Sequence, residues 1–330
     1  MKLYGEPITL NLKTTFRIAH GASDQRHNVY VHIGEGTGEA PGVPQFNETQ
    51  AGIMAYLNNL GAQEWDPFQM EEILNNLPSG SRAARAAIDV ALHDLLGIRL
   101  GQPLYRLLGI NPNKIPQTSF TIAIDEPQIM AERARDSGLP IIKVKLGSPD
   151  DEAIVRAIRE ATPARLRVDA NAGWTRQQAA DLIPRLAQYD LEFVEQPLPA
   201  DDLEGLGWLR SQKLGLPIFA DESAKTSHDI AALAGKVDGV VIKLMKTGGI
   251  REGLRAIHTA RAMDMQIMVS CMVESSAGVT AAANLAPLCD YADLDGPLLI
   301  HNDPYSGLTY QGANLSLPEG PGLGLKRKDG

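Results

Sequence analysis

Eight short apolar runs punctuate the chain between residues 119 and 296: "SFTIAI", "IIKVKL", "RLRVDAN", "LEFVEQP", "PIFADES", "GVVIKLM", "QIMVSCM" and "YADLDG". Between them lie stretches with helical periodicity, such as "DDEAIVRAIREA", "TRQQAADLIPRLAQY" and "IREGLRAIHTARAM". Parallel strands need a crossover to bring the chain back to the same end, and a helix is the usual one. Eight such units predict an α/β fold, a (β/α)8-type barrel that is compact for its class. An open doubly wound sheet would want a glycine-rich fingerprint after its first strand, and "FTIAIDEPQ" has none. "KTGGIREG" is glycine-rich but follows the sixth run, and it reads as a loop into a helix.

The first hundred or so residues read differently. "LYGEPITLNL" and "HNVYVHIGEG" alternate like strands. Three helical stretches follow, Glu48 to Leu60, Pro67 to Leu77 and Ser81 to Leu96, and "GINPNKIPQ" then punctuates the chain. These features predict an N-terminal α+β domain over 1–112, a barrel over 113–302 and a C-terminal segment over 303–330. At 44% hydrophobic and 22% charged residues, the chain has the composition of a soluble globular protein. A net charge of −9 without a basic block argues against nucleic acid as a partner. No apolar run is long enough to span a membrane, and the N-terminus lacks a signal-type apolar core. Cys271 and Cys289 make no disulfide framework, so a cytoplasmic location is expected. A homo-oligomer is compatible with all of this.

Polar residues recur in step with the apolar runs. Lys145, Asp169, Glu195, Asp221 and Lys243 stand at the C-terminal ends of successive runs, the rim where barrel sites assemble. Asp169, Glu195 and Asp221 come from three consecutive strands. One such acid alone could cap a helix or pair with an arginine. Three clustered carboxylates cannot all stay ionised without a cation, and their hard oxygens suit Mg²⁺ or Mn²⁺.

In "PIIKVKLG", Lys143 and Lys145 share one strand face. Buried lysines are costly unless they are paired or serve chemistry. Salt bridges to the acids are one role and are compatible with a second. Lys243 approaches from another side, and repulsion beside the divalent cation together with desolvation predicts lysine pKa values lowered to roughly 7–8, useful for a general base. Bases on two faces of a metal-bound carboxylate substrate can remove an α-proton from one face and return it on the other. That chemistry is racemisation or epimerisation.

With these residues in view, the sequence resembles the enolase superfamily, in its muconate-lactonizing subgroup. The matching pieces are "KVK", "VDAN", "VEQP", "ADES" and "IKLMKTGG", in that order, with "AAIDVALHDLLGIRLGQPLYRLLG" upstream. The resemblance covers most of the chain and implies a modified (β/α)7β TIM-type barrel under an N-terminal α+β capping domain, to which the C-terminal segment returns. It implies Mg²⁺ on Asp169, Glu195 and Asp221, with Lys145 and Lys243 as the acid/base pair and Lys143 as an electrostatic clamp. "VSCMVESS" at the seventh strand lacks the histidine of the mandelate-racemase subgroup.

Asp293 and Asp295 in "YADLDGP" are similar to the ammonium clamp of dipeptide epimerases. The implied activity is therefore an isomerase acting on dipeptides, L-Ala-D/L-Glu first, as in murein peptide metabolism. N-acylamino acid racemisation and o-succinylbenzoate synthesis in the same subgroup are the alternatives, as is a catalytically silent binding protein on this scaffold. Cys271 and Met272 in "SCMVESSAG" are expected to line the substrate, Cys271 through packing rather than as a nucleophile. In the cap, "FRIAHGASDQRHN" carries His20 and Gly21 where Ala-Glu epimerases tend to carry an arginine. His20 and Arg17 are the candidate contacts there, with Arg26 nearby, and the second residue of the dipeptide stays open.

Overall fold

The structure, a computed structural model, describes residues 1–61 and 63–328. It opens with an antiparallel sheet of three strands, β1 (Leu3–Ile18), β2 (Gly21–Ile33) and β3 (Gly36–Ala40), in that order. Strand β1 runs on past the expected "LYGEPITLNL", pairing Phe16–Ile18 with Gly21–Ser23 beyond a register shift between Asn11 and Phe16. The irregularity breaks the alternation that would have announced the extension. Three helices follow: α1 (Gln50–Asn58), α2 (Met70–Asn76) and α3 (Arg82–Leu100). The stretch expected as one helix from Pro67 to Leu77 is a 3-10 turn, Pro67–Gln69, and then α2.

Helix α3 starts where the Ser81 hydroxyl accepts from the Ala84 N–H, and it continues beyond Leu96 until Gly101 turns left-handed at φ 63°. Its Ala83, Ala87, Ile88, Ala91 and Leu95 bury against Val29, Val31 and Ile33 of β2. Gly36 and Gly38 let β3 touch the backbone of α3. A Cβ at Gly38 would overlap the Ala87 carbonyl oxygen, and one at Gly36 would overlap that of Ala91. Gly38→Ala is therefore expected to destabilise the fold by about 3 kcal/mol, at the upper end of overpacking costs. Urea unfolding with an unchanged midpoint would show that this contact has slack.

All eight apolar runs form strands. They are β4 (Phe120–Ile122), β5 (Ile141–Lys145), β6 (Arg165–Asp169), β7 (Leu191–Glu195), β8 (Ile218–Ala220), β9 (Gly239–Lys243), β10 (Gln266–Ser270) and β11 (Tyr291–Asp293). Each pairs in parallel with its sequence neighbour. A parallel bridge from Thr118 to Ala292 joins the first strand region to the last, with the Ser119 N–H 3.1 Å from the Ala292 oxygen. The strands β4 to β10 are each followed by an α-helix, whereas β11 leads only to a 3-10 turn, Gly296–Leu299. The architecture is a (β/α)7β barrel.

Period-two alternation sorts the barrel residues. Ile142, Val144, Leu166, Val168, Val240, Ile242, Ile267 and Val269 face the helices and join the main core. Phe193, Phe219, Val241 and Met268 form a separate interior cluster. Arg167 belongs to it, with its guanidinium carbon 4.9 Å from the Tyr291 ring centroid and Nε donating to Glu192 at 2.6 Å. The barrel floor is therefore filled, and apart from Arg167 the charged inward residues lie towards the C-terminal rim.

The N-terminal sheet and helices lie against that rim. The Arg17 carbonyl accepts from the Ile124 N–H at 2.9 Å, Tyr30 Oη donates to Ser275 Oγ at 2.9 Å, and Asp89 accepts from the Ile250 N–H at 2.6 Å. From the C-terminal segment, Leu323 N–H reaches Asp94 at 2.7 Å and Arg327 reaches Glu6 at 2.9 Å. Among the described residues, no helix is long and apolar enough to cross a membrane.

Candidate active site

Sheet register sets the height of the charged residues. Lys145 pairs with Asp169, and Asp169 pairs with Glu195, so these three ends are level. On the other side Lys243 pairs with Ser270 and Ser270 with Asp293. Asp221 directly follows the end of β8. Asp169, Glu195 and Asp221 are all buried, and a carboxylate oxygen from each lies within 4.8 Å of the others.

The lysines divide these acids among themselves. Lys145 Nζ donates to Asp169 at 2.7 Å, and Lys243 Nζ donates to Asp221 at 2.7 Å. Lys143 lies deeper and is fully enclosed. It donates to Glu195 and Asp293, both at 2.9 Å, and is 3.2 Å from Asp169. Burial opposes ionisation of Asp169 and Asp221, but the neighbouring lysines overcome it and hold both acids well below the usual carboxylate range. Glu195 goes the other way, pushed up to about 8 by burial and by Asp169. Its Oε2 oxygen is buried, with the Lys143 ammonium 2.8 Å away. Three buried carboxylates that converge their hard oxygens in this way fit a divalent cation of the Mg²⁺ type.

One expectation is corrected here. Desolvation does disfavour the charge on Lys143 and Lys243, as expected. The facing carboxylates outweigh it, Asp293 and Glu195 for Lys143 and Asp221 for Lys243, and both lysines are raised rather than lowered. The cation and desolvation favour lowered lysine pKa values, and the acids around the lysines act the other way.

Asp293 and Asp295 both line the cavity above the site, which measures about 300 Å³. Their environments differ. Asp293 accepts from Lys143, from Ser270 at 2.9 Å and from Ser119 at 2.7 Å, and against burial these partners and charges keep its pKa low, at about 2. Asp295 accepts the Thr121 N–H at 2.6 Å and has no ion pair among the described residues. Burial and the charge of Asp293 raise its pKa to about 7. The pair was expected to act alike, but Asp293 is already neutralised from within the barrel.

Cys271 and Met272 line the cavity. Burial pushes the Cys271 thiol well up, which leaves it a packing residue. His20 also lines the cavity, with Nε2 2.7 Å from the Asn171 carbonyl oxygen. Arg17 does not line it, contrary to expectation, because Phe16 and Ile18 take the inward face of β1 and leave Arg17 exposed. The inward arginine is Arg26 on β2, half-buried at the cavity wall. Its guanidinium lies 5.7 Å from the Phe16 ring centroid and donates only to the Gln25 carbonyl, at 3.0 Å. No carboxylate pairs with it among the described residues.

Several site residues escaped the sequence reading. Lys246, three positions after Lys243 in "IKLMKTGG", is fully buried and donates to Asp221, and to the Ala224 oxygen at 3.0 Å and the Val241 oxygen at 3.1 Å. Its spacing from Lys243 was the available signal. Ser119, Thr121 and Ser270 are ordinary strand residues until the barrel closes. Asn171 and Glu222 stood inside quoted motifs beside the expected metal ligands.

Two family models cover nearly the whole chain. Residues 7–109 match the mandelate racemase / muconate lactonizing enzyme N-terminal domain, and residues 128–329 match the enolase C-terminal domain-like model. The chain belongs to the mandelate racemase / muconate lactonizing enzyme family. Within this family it is 40% identical to the L-Ala-D/L-Glu epimerase of Bacteroides thetaiotaomicron, over 99% of this chain and 88% of that protein. Among solved structures, the substrate-liganded L-Ala-D/L-Glu epimerase from Bacillus subtilis superimposes with a TM-score of 0.91 at 30% identity, covering 98% of both chains. The dipeptide epimerase from Enterococcus faecalis, complexed with Mg and L-Leu-L-Tyr, gives 0.91 at 35% identity and covers 99% of both.

Proposed function

We propose that the chain is a Mg²⁺-dependent dipeptide epimerase that inverts the α-carbon of the C-terminal residue by two-base 1,1-proton transfer. The carrying observation is the distribution of charge around the barrel mouth. Lys145 on β5 and Lys243 on β9 are separated by three strands on either side, so they face each other across the mouth. Asp169, Glu195 and Asp221 fill the arc of β6 to β8 between them. Asp293, the last residue of β11, and Asp295, just beyond it, hold the opposite arc.

A dipeptide has a carboxylate at one end and an ammonium at the other, and it fits across this diameter. Mg²⁺ on the three acids would supply Lewis-acid stabilisation of negative charge developing on the substrate carboxylate. Asp295, the acid without an internal ion pair, takes the ammonium end. The α-carbon is then held between the two lysines. Lys145 and Lys243 serve as base and acid on opposite faces and exchange these roles in the reverse direction. Lys143, held by Glu195 and Asp293, adds fixed positive charge beneath the carboxylate end. The cap closes the site from above through His20, Arg26 and the β1–β2 hairpin.

N-acylated amino acids and o-succinylbenzoate precursors have no ammonium group for Asp295, which favours the dipeptide reading. A silent binding protein would have no use for two lysines poised across one site. The proposed substrate is L-Ala-D/L-Glu, supported by the named relatives and by the unpaired guanidinium of Arg26, suited to an acidic side chain. A role in murein peptide metabolism in the cytoplasm belongs to the same proposal, as does the division into a cap (1–112), a barrel (113–302) and a returning segment (303–330).

The test is incubation with L-Ala-L-Glu and Mg²⁺, with L-Ala-D-Glu followed by NMR. Exhaustive chelation should abolish turnover and added Mg²⁺ should restore it; full activity without a divalent metal would refute the proposal. Arg26→Ala should lower kcat/KM for L-Ala-L-Glu by roughly 10- to 100-fold, the worth of a hydrogen bond to a charged group. An apolar dipeptide such as L-Ala-L-Leu should be little affected. An unchanged ratio between the two substrates would remove Arg26 from side-chain selection.

A further inference from the structure

Two buried acceptors beside the acid cluster have no donor among the described residues. Glu222 follows Asp221, lines the same cavity, and accepts only from Asn171 Nδ2, at a long 3.4 Å. Its Oε2 oxygen is buried without a partner, and so is Oδ1 of Asn171. Asn171 itself follows Asp169 by two positions and donates its backbone N–H to that acid at 2.9 Å. The two orphan acceptors thus flank the acid cluster from β6 and β8. Unpaired buried acceptors are costly, and a native fold that keeps them calls for an explanation.

The nearby cations do not serve them. Lys246 spends its ammonium on Asp221, Ala224 and Val241, and Lys243 donates to Asp221. The substrate ammonium belongs at Asp295, on the opposite arc. The missing donor must be small, rich in hydrogens and located beside the three acids. Mg²⁺ sheds its waters reluctantly, and waters on a dication are strong donors.

We infer that Glu222, together with Asn171, accepts hydrogen bonds from water on the metal and thereby sets the metal affinity of the Asp169–Glu195–Asp221 site. Glu222 is a positioning residue that acts through the hydration of the ion, and this inference rests on the metal-dependent reading above. Outer partners of this kind typically change metal affinity by roughly 10- to 100-fold.

The experiment is calorimetric titration of the substrate-free protein with Mg²⁺ alone, for wild type, Glu222→Gln, Glu222→Ala and Asn171→Ala. Thermal unfolding of each variant is measured with and without the metal. Glu222→Gln should bind Mg²⁺ at least about 10-fold more weakly, with its metal-free melting temperature unchanged and the Mg²⁺-induced rise reduced. Asn171→Ala should shift in the same direction. If Glu222→Gln and Glu222→Ala both bind Mg²⁺ as tightly as wild type, the inference is overturned while the metal reading stands. Wild type that binds no Mg²⁺ would strike the metal reading and this inference together.

Discussion

Lys145→Ala and Lys243→Ala are each expected to lower epimerisation by on the order of 10³-fold or more, at the upper part of what a positioned acid or base contributes. Both losses follow from one geometry. With the lysines on opposite sides of the mouth, each reaches only one face of the α-carbon, and inversion needs both faces. The partial reaction separates this account from general damage to the site. Each single variant should still exchange the α-proton of one epimer with solvent, and the two variants should differ in which epimer they exchange. Epimerisation at the wild-type rate in either variant would refute the two-base assignment.

Asp295→Asn is expected to lower kcat/KM for a dipeptide with a free amino terminus by roughly 10²-fold. The substrate ammonium would be enclosed without its counter-charge, and leaving a buried charge unpaired costs about 3 kcal/mol or more. N-acetylation of the substrate should hurt the wild type by a similar factor, and Asp295→Asn should lose most of its discrimination between free and acetylated forms. The raised pKa of Asp295, about 7, adds a pH signature. Below that value the carboxyl is protonated and neutral, so wild-type kcat/KM should fall as pH drops from 8 to 6. Asp295→Asn should lack that limb of the profile. Equal losses on free and acetylated substrates would mean that Asp295 supports the site structurally, through the Thr121 N–H, instead of holding an ammonium.

The barrel and its rim of charge were legible because period-two alternation is local and each charged motif ends its own apolar run. Once "KVK", "VDAN" and "VEQP" are strand ends in successive parallel strands, Lys145, Asp169 and Glu195 must lie level. The cap resisted the same reasoning at one place. Which arginine faces inward depends on Arg26 pairing opposite the buried Leu10 while Phe16 and Ile18 take the inner face of β1, and no residue type in "FRIAHGASDQRHN" announces that pairing. Arg17 therefore looked as eligible as Arg26. The lysine pKa directions were misjudged for a different reason. They depend on how many carboxylates surround each ammonium, and Asp293 reaches Lys143 only after β11 closes against β4. Lys246 was hidden likewise, since a lysine in a turn before a helix is ordinarily solvated, and burial beside Asp221 is a tertiary outcome.

The most direct test of the central claim is α-proton exchange in heavy water with wild-type enzyme, Mg²⁺, and paired panels of free and N-acylated dipeptides and amino acids. The account predicts deuterium at the α-carbon of the C-terminal residue of free dipeptides, L-Ala-L-Glu foremost, appearing in the inverted epimer. Exchange confined to N-acylated amino acids, with free dipeptides inert, would contradict it.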